Sequence, residues 1–289
     1  LIITGKYNNG LEEGKWNTYL LPKANNNNDP SHGWFTEWPR IREIHDGKYM
    51  MDMHGMFYEF PPTFSSSNAS GLKPIGSHLR YVPDFTHWNG KILLATDETS
   101  IQGNPLAGQA QSNLWLGDFS ELSKWGPASG YGSVWIEDQV KANETSLPYL
   151  FSSFDQRILH LSNHGDEAVE IKLQMDKQGD NNWKDHKTVE VPAKAYVYHI
   201  FDKNANAEWI RLVPNQSSTL TATFHYTDTD LRNPDEGKEL FKGLAASNYQ
   251  GAVSHSKLFP NQNNFNLTVY TGDVADGSFT EKKTYELNK

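Results

Sequence analysis

The stretch IHDGKYMMDMHGMFYEF, residues 44 to 60, sets the pattern from which the fold can be read. It holds an Asp-Gly pair, then a lysine, then a run of apolar and aromatic residues of the kind enriched in β-strands. A similar order recurs in HWNGKILLATDET (87–99) and in FDQRILHLSNHGDEAVEIKL (154–173). Asx-Gly pairs between apolar runs indicate tight β-hairpins. We therefore predict hairpin turns at Asp46-Gly47 and Asn89-Gly90, and the weak repeat predicts a corresponding turn at Asp155-Gln156.

Most of the remaining chain consists of short extended runs separated by turn-forming residues. LTVYTGDVADGSFTEKKTYEL (267–287) predicts a further hairpin, and the best helix candidate is EGKELFKGLAAS (236–247). Hairpin units that recur about every 40 to 50 residues are the pattern expected of propeller blades. We predict an all-β fold, namely a β-propeller of about five to seven blades that either is incomplete at its N-terminus or forms fewer blades. A solenoid or a pair of sandwiches is the alternative.

The division into domains has two readings. The most regular segment, 157–226, fits a β-sandwich by itself or one or two blades within a propeller. The first reading is a single propeller domain over 1–289. The second is a propeller-like part over 1–150 followed by a sandwich-like part over 151–289.

Composition limits the chemistry and the partners. The 289 residues include no cysteine, which excludes thiolate metal sites and cysteine nucleophiles. The net charge of -9 argues against general binding of nucleic acid, which needs a basic surface. No apolar run approaches the length of a membrane span. The chain begins LIITGKYNNG, without a leader pattern, and reads as a mature or truncated product.

Two longer segments carry a resemblance to known proteins. DFTHWNGKILLATDETSIQGNPLAGQAQSNLWLGDFSELSKWG (84–126) and AEWIRLVPNQSSTLTATFHYT (207–227) resemble β-propeller proteins of polysaccharide-degrading bacteria. More remotely, the arrangement is similar to seven-bladed propeller enzymes that cut uronate-containing polysaccharides, the ulvan lyases and the rhamnosyl-glucuronate-cleaving families. The resemblance implies a secreted or periplasmic protein that cleaves an acidic polysaccharide or oligosaccharide, using His, Tyr and Arg. No catalytic set of those families is transferred to numbered residues here.

Residues suited to that chemistry are concentrated between positions 32 and 113. Elimination at a uronate needs a base for the C5 proton and an acid for the leaving oxygen, and histidine and tyrosine supply both. Arginine or amide groups bind the carboxylate, and aromatic faces bind the sugar ring. The predicted catalytic residues are His54, His78 and Tyr58. The predicted substrate-binding residues are Arg80, Arg40, Gln109, Gln111, Trp34 and Trp38.

His54 is the central prediction. If residues 49–58 form one extended strand, then Asp52, His54 and Tyr58 share a face, and Asp52 is placed to fix the His54 tautomer. The competing interpretation is a buried blade strand in which His54 is only a hydrogen-bonded core residue. SHLR puts His78 and Arg80 on one strand face, where they grip an anion or, alternatively, form a strand edge with a surface ion pair.

Other patterns stay open or are set aside. The carboxylates Glu37, Asp97 and Glu98 permit a hydrolase, and Gln109, Gln111 and Asn113 permit either an amide row or a capped blade edge. DKQGDNNWKD (176–185) loosely resembles a calcium loop, but a tight turn fits better, and no cofactor or metal is predicted. The functional alternative is a propeller that binds glycan or serves as a scaffold without catalysis, and a third reading is a protein-interaction propeller.

Overall fold

The computed structural model describes residues 2–5, 16–24, 40–78, 81–97, 113–233, 235, 255–260 and 267–287. Within these ranges the fold is all-β, as predicted, and the only helical element is a 3₁₀ helix over Phe119–Lys124. The helix candidate at 236–247 lies outside the described residues. No helix in the described ranges is long and apolar enough to cross a membrane.

The chain divides into two compact units, Leu1–Arg232 and Asn233–Lys289. This boundary differs from the one at residues 150 and 151 considered above, and that assignment of domains stays a prediction. The described part of the second unit forms one antiparallel sheet of three strands in chain order. Its strands are β18 (His255–Pro260), β19 (Leu267–Ala275) and β20 (Ser278–Leu287), and the β19–β20 hairpin confirms the turn expected there.

Two sheets of the first unit are simple meanders, in which each strand pairs with the next one along the chain. The first meander contains β3 (Arg40–His45), β4 (Lys48–Met53), β5 (Met56–Phe60) and β6 (Lys73–Ser77). The second contains β7 (Tyr81–Trp88), β8 (Lys91–Asp97) and β9 (Asn113–Gly117). Antiparallel meanders are the construction of propeller blades. The number of blades stays a prediction.

Turn chemistry fixes these meanders. Asp46 and Asn89 adopt φ of 46° and 49°, and the glycines after them adopt 75° and 76°, so both predicted hairpin turns are confirmed. Two successive positive φ values are the requirement of the tight turns that match strand twist.

The single strand expected over residues 49–58 is wrong. His54 and Gly55 form a further turn of the same kind, with φ of 52° and 77°, and Met53 pairs with Met56 across it. A turn of two residues reverses the chain, which changes the face on which each later side chain lies. Gly55 was the available signal, but a histidine before it is not among the usual turn residues.

This turn sorts the side chains of β4 and β5 between two cores. One face carries Met51, Met56 and Tyr58 into a large core shared with the later strands. The other carries Met50 and Phe57 into a smaller core toward the second meander. The methionines are therefore packing residues on both faces of the first meander, as their flexible side chains permit.

Strands β10 to β17 form a different architecture. Their strand orders are β10-β17-β12-β15 in one sheet and β11-β16-β13-β14 in the other. Alternate residues of both sheets, such as Leu159 and Leu173, are fully buried in the large core, which makes the pair of sheets a β-sandwich. The strands are β10 (Ser129–Val140), β11 (Tyr149–Leu150), β12 (Gln156–Asn163), β13 (Val169–Asp176), β14 (Trp183–Val191), β15 (Tyr196–Ile200), β16 (Trp209–Pro214) and β17 (Ser218–Thr227).

Two sequence predictions are decided in this sandwich. No hairpin forms at Asp155-Gln156, because β12 pairs with β15 and β17, so that prediction is wrong. The tight turn after β13 is confirmed, since it joins β13 directly to β14. The buried carboxylate of Asp176 accepts backbone N–H groups across that turn, the closest from Asn181 at 2.8 Å. Gly179 approaches the backbone of Ala69 so closely that a Cβ would lie 2.6 Å from its carbonyl carbon.

A short sheet completes the described strands. It pairs β1 (Ile2–Gly5) with β2 (Trp16–Tyr19). Tyr19, at the end of β2, packs against Trp209 of the sandwich with ring centroids 4.5 Å apart. The large core therefore continues from Tyr19 into the sandwich.

Candidate functional site

The two meanders lie side by side with their ends aligned. Arg42 of β3 contacts Asp84 of β7, and three residues further on His45 stacks on His87 with ring centroids 5.1 Å apart. Strands β3 and β7 therefore run in the same direction. The start of β3, the His54-Gly55 turn and the end of β6 consequently share one end of the paired sheets, which we call the His54 end.

At the His54 end, Asp52 and His78 form a buried pair. His78 Nε2 lies 3.0 Å from Asp52 Oδ1, and the side chains are only 1% and 2% exposed. Asp52 comes from β4, and His78 directly follows β6, where its N–H donates to the carbonyl of Gly55. Asp52 therefore holds His78, and not His54 as the single-strand interpretation expected.

Aromatic rings enclose this pair. Phe57 stacks on the His78 ring at 4.2 Å between centroids, and Trp125 meets both rings edge-on. Burial in this apolar layer raises the pKa of Asp52, while the hydrogen bond from His78 opposes the rise. The second carboxylate oxygen, Asp52 Oδ2, is buried without a hydrogen-bond partner in the described part of the chain. A buried acceptor of this kind is unusual in a purely structural role.

His54 itself is half-buried at the tip of its turn. Its carbonyl accepts the N–H of Ala24 at 3.0 Å, which ties the turn to the segment 21–24. Burial lowers the pKa of the His54 imidazole, and the positive charge of Lys23 lowers it further. His54 is therefore a neutral imidazole near pH 7, able to accept a proton.

Three charged residues meet where β3 lies against β7. Arg42 makes a two-pronged contact with the Asp84 carboxylate, Nε and one terminal nitrogen each donating at 2.7 Å. Arg40 Nε lies 3.8 Å from the same carboxylate. The pairing holds the pKa of Asp84 below its ordinary value. Two guanidinium groups therefore face one carboxylate, and all three side chains are partly exposed. We call them the arginine cluster.

The arginine cluster belongs to the His54 end. Arg40 lies directly opposite Asp52 in the β3–β4 register, two residues before His54. A shallow cavity of about 310 Å³ opens beside the cluster, lined by Arg42, Asp84 and Leu114 among others. A partly exposed guanidinium pair suits a planar anion such as a carboxylate.

A larger cavity, of about 550 Å³, opens at the opposite end of the meanders. Its wall includes His45, Lys48, Lys91, Asp118 and Phe119. The Lys91 ammonium contacts Asp118 at 2.8 Å, and the Lys48 ammonium lies over the Phe119 ring. Each of these two cations therefore has a local partner. We therefore place the candidate site at the His54 end.

The remaining predicted residues divide into two groups. Tyr58 is fully buried, and its hydroxyl donates to the carbonyl of Pro22 at 3.1 Å, so it contacts the core and not a substrate. His78 is likewise enclosed, which suits it to positioning and not to direct contact. The others lie outside the described residues, namely Trp34, Glu37, Trp38, Arg80, Glu98, Gln109 and Gln111.

Sequence reasoning missed two features of this end. The Asp52–His78 pair joins residues 26 positions apart through a hairpin that had been interpreted as a strand. Lys23 stands in an irregular segment that no motif marks. A prediction of the His54-Gly55 turn from the sequence would have placed Asp52 toward β6.

Comparison with known proteins gives little help. No protein-family model and no curated protein matches the chain. Among solved structures, an exo-β-1,3-galactanase from Phanerochaete chrysosporium is 9% identical, with 65% of this chain and 56% of that chain covered and a TM-score of 0.23. A glycoside hydrolase family 43 arabinoxylan arabinofuranohydrolase from Bacillus subtilis is 5% identical, with 66% and 53% covered and a TM-score of 0.24.

A family 29 carbohydrate-binding module is 14% identical, with 58% of this chain and 94% of that chain covered and a TM-score of 0.20. The chain thus spans little more than half the length of the two hydrolases. TM-scores at this level do not establish a shared fold.

Proposed function

We propose that the protein is a carbohydrate-active enzyme that cleaves a uronate-containing polysaccharide at the His54 end. The observation that carries the proposal is a neutral, half-buried His54 at the sheet end where two arginines converge on one carboxylate. A base and an anion-binding group on neighbouring strands are what elimination at a uronate requires. The same reasoning favours a secreted or periplasmic location, where such polymers are found.

In the proposed reaction the arginine cluster binds the uronate carboxylate. Its charge neutralises the carboxylate and makes the adjacent C5 proton more acidic. His54 takes that proton, the C4–O bond breaks, and a C4–C5 double bond forms. The leaving oxygen carries away the bond electrons and takes a proton from water. The buried Asp52–His78 pair is a positioning element, since it fixes the end of β6 beside Gly55.

Elimination suits the described residues better than hydrolysis. Hydrolysis requires two carboxyl groups flanking the bond, and Asp84, in the arginine cluster, is already occupied by Arg42. The non-catalytic alternative also has an observation in its favour. Two of the three predicted catalytic side chains, His78 and Tyr58, are buried. An anion-binding cluster without an exposed proton donor is sufficient for recognition alone.

The test combines turnover and binding on ulvan, pectin and arabinogalactan fractions. Cleavage by elimination gives the ultraviolet absorbance of an unsaturated uronate, whereas hydrolysis gives only new reducing ends. We expect His54→Ala to abolish turnover and to retain binding. His255→Ala removes an exposed histidine of the second unit and serves as the matched control.

The arginine cluster is tested with Arg40→Ala and Arg42→Ala. Each is expected to weaken binding of the uronate polymer about tenfold and to leave binding of the same polymer unchanged after its carboxylates are reduced to alcohols. Binding without any product assigns the non-catalytic function. If no fraction binds and none is cleaved, the proposal is wrong for acidic polysaccharides.

A further inference from the structure

The sandwich exposes a second surface that the proposed site does not use. In the sheet β10-β17-β12-β15, alternate residues enter the core and the others face outward. Among the strands that the structure describes, β15 pairs only with β12 and forms the edge of this sheet. Its outward residues are Tyr196, Tyr198 and Ile200, which are 55%, 61% and 60% exposed. Three adjacent large side chains so exposed are uncommon on a surface without a ligand.

The two tyrosine rings form a platform. Their centroids are 6.4 Å apart and their planes differ by 32°. The Tyr196 hydroxyl lies 2.6 Å from Nδ1 of His160 on β12, and the two rings stack at 6.0 Å. Hydrogen bonding and stacking hold the Tyr196 ring in place before any ligand arrives. A preorganised aromatic ring loses less conformational entropy when it binds.

Neutral hydrogen-bonding groups continue from this platform across the sheet. His160 lies opposite Tyr198 on one side and Thr223 on the other in the strand registers. Beyond them, the hydroxyls of Thr223 and Ser133 lie 2.7 Å apart. Hydroxyl and imidazole groups both donate and accept, as sugar hydroxyls also do.

The outer face of β12, β15 and β17 carries no formal charge. Outward residues of β12, β15 and β17 include no Asp, Glu, Lys or Arg, although the chain as a whole has a net charge of -9. Burial and the neighbouring His225 lower the pKa of His160, which keeps the imidazole neutral near pH 7. An uncharged surface in a charged protein does not complement an ionic partner. It fits a neutral ligand that has both apolar faces and hydroxyl groups.

We propose that this outer face of β15, β12 and β17 is a binding surface for a neutral glycan, distinct from the His54 end. The C–H face of a sugar ring stacks on Tyr196 and Tyr198, and its hydroxyls bond to His160 and Thr223. Tyr196 and Ile200 are four positions apart along β15, about 13 Å, so the row takes a short run of sugar units and not a single ring. The proposal does not depend on cleavage at the His54 end.

The experiment uses the full chain and soluble neutral polysaccharides, namely mixed-linkage β-glucan, β-1,3-galactan and arabinoxylan. Affinity gel electrophoresis identifies a polymer that retards the wild type, and titration calorimetry measures its affinity. We expect Tyr198→Ala to weaken binding about tenfold and Tyr196→Ala with Tyr198→Ala to abolish it. Tyr198→Phe retains the ring and is expected to retain binding. Tyr285→Ala, an exposed tyrosine of the second unit, is the matched control.

The outcomes also separate this surface from the proposed active site. Binding of the neutral glycan is expected to be insensitive to salt and to Arg40→Ala, whereas uronate binding is expected to weaken in salt. The proposal is overturned if none of the three polymers retards the wild type, or if the double variant binds as tightly as the wild type. It is also overturned if sedimentation shows self-association that the double variant abolishes, because the surface is then a contact between copies of the chain.

Discussion

The meanders and the sandwich bury polar side chains in different ways. In the sandwich, the Arg157 guanidinium donates to backbone carbonyls including that of Phe151, and the Asp176 carboxylate accepts backbone N–H groups. In the first meander, Asp52 and His78 bond to each other. Backbone groups are always present, so a side chain that satisfies them cannot be spared. Two side chains that bond to each other can instead be replaced together by apolar residues. This double substitution tests whether the pair is needed for folding or for function.

The largest expected effect tests that contrast directly. Asp52→Ala leaves His78 buried without its partner and is expected to lower the free energy of unfolding by about 3–5 kcal/mol. Asp52→Leu combined with His78→Phe removes both polar groups and is expected to recover most of that loss. Urea unfolding of the three proteins provides the measurement. If the double variant is as unstable as Asp52→Ala, then the pair is as indispensable as the backbone-bonded residues of the sandwich.

Asp176 provides the matched case in the sandwich. Asp52 and Asp176 are both 2% exposed, but the partners of Asp176 are backbone N–H groups. Asp176→Ala leaves those donors unsatisfied and is expected to cost about 2–3 kcal/mol in the same assay. Asp176→Asn retains an acceptor oxygen and is expected to cost about half as much. If a second side-chain substitution recovered the stability lost in Asp176→Ala, the distinction between the meander and the sandwich would be contradicted.

A third carboxyl group, that of Asp228 at the end of the sandwich, makes stability depend on pH. Asp228 Oδ1 accepts the backbone N–H of Asp155 at 2.9 Å, yet burial raises its pKa from 3.8 to about 6. Because the folded state binds this proton more tightly, the contribution is fully present below pH 3.8 and is lost as the pH rises through about 6.

We expect Asp228→Asn to remove that loss. The stability of the wild type relative to this variant then falls by about 1 kcal/mol between pH 4 and 6, a reduced value because the half-buried carboxyl is screened by solvent. Unfolding curves of both proteins at several pH values give the difference. A difference that is constant over this range would show that Asp228 titrates as an exposed carboxyl.

The smallest expected effect concerns the arginine cluster. Arg42 and Asp84 are 45% and 47% exposed, so their contact contributes about 0.2–1 kcal/mol to stability. Arg42→Ala is expected to cost no more than this in urea unfolding, and less at high salt. Any large loss of uronate binding in Arg42→Ala therefore comes from the site and not from unfolding. If Arg42→Ala lost as much stability as Asp52→Ala, a loss of uronate binding could no longer be assigned to the site.

Sequence reasoning succeeded where the relevant interaction is local. Asp46-Gly47 and Asn89-Gly90 specify turns by their own backbone preferences, and Asp176 closes a turn within five residues. The all-β class follows from many such local signals together. The turn at His54-Gly55 was missed because its first residue is atypical, and that single error misassigned the faces of Asp52 and Tyr58.

Long-range pairing was not visible in the sequence. The segment 157–226 fitted either a sandwich or one or two blades, and the sequence did not show that β10 pairs with β17 or that β12 lies between β17 and β15. No local property of β12 determines which strand lies beside it, because β13 and β17 show a similar alternation of buried and less buried residues. For the same reason the sequence did not predict that the tyrosines of β15 are exposed, because alternation alone does not show which face of a strand is the outer one.

By itself, the sequence determined the all-β class, the Asx-Gly hairpins, the absence of cysteine chemistry, and the supply of histidine and arginine between positions 32 and 113. Tertiary structure decided that Asp52 holds His78, that Tyr58 is a core residue, and that Arg40 and Arg42 converge on Asp84. The physical reason is range. Turn preferences act over a few residues and can be read directly, whereas these partners are 26 to 44 positions apart and meet only after strands have paired and sheets have packed.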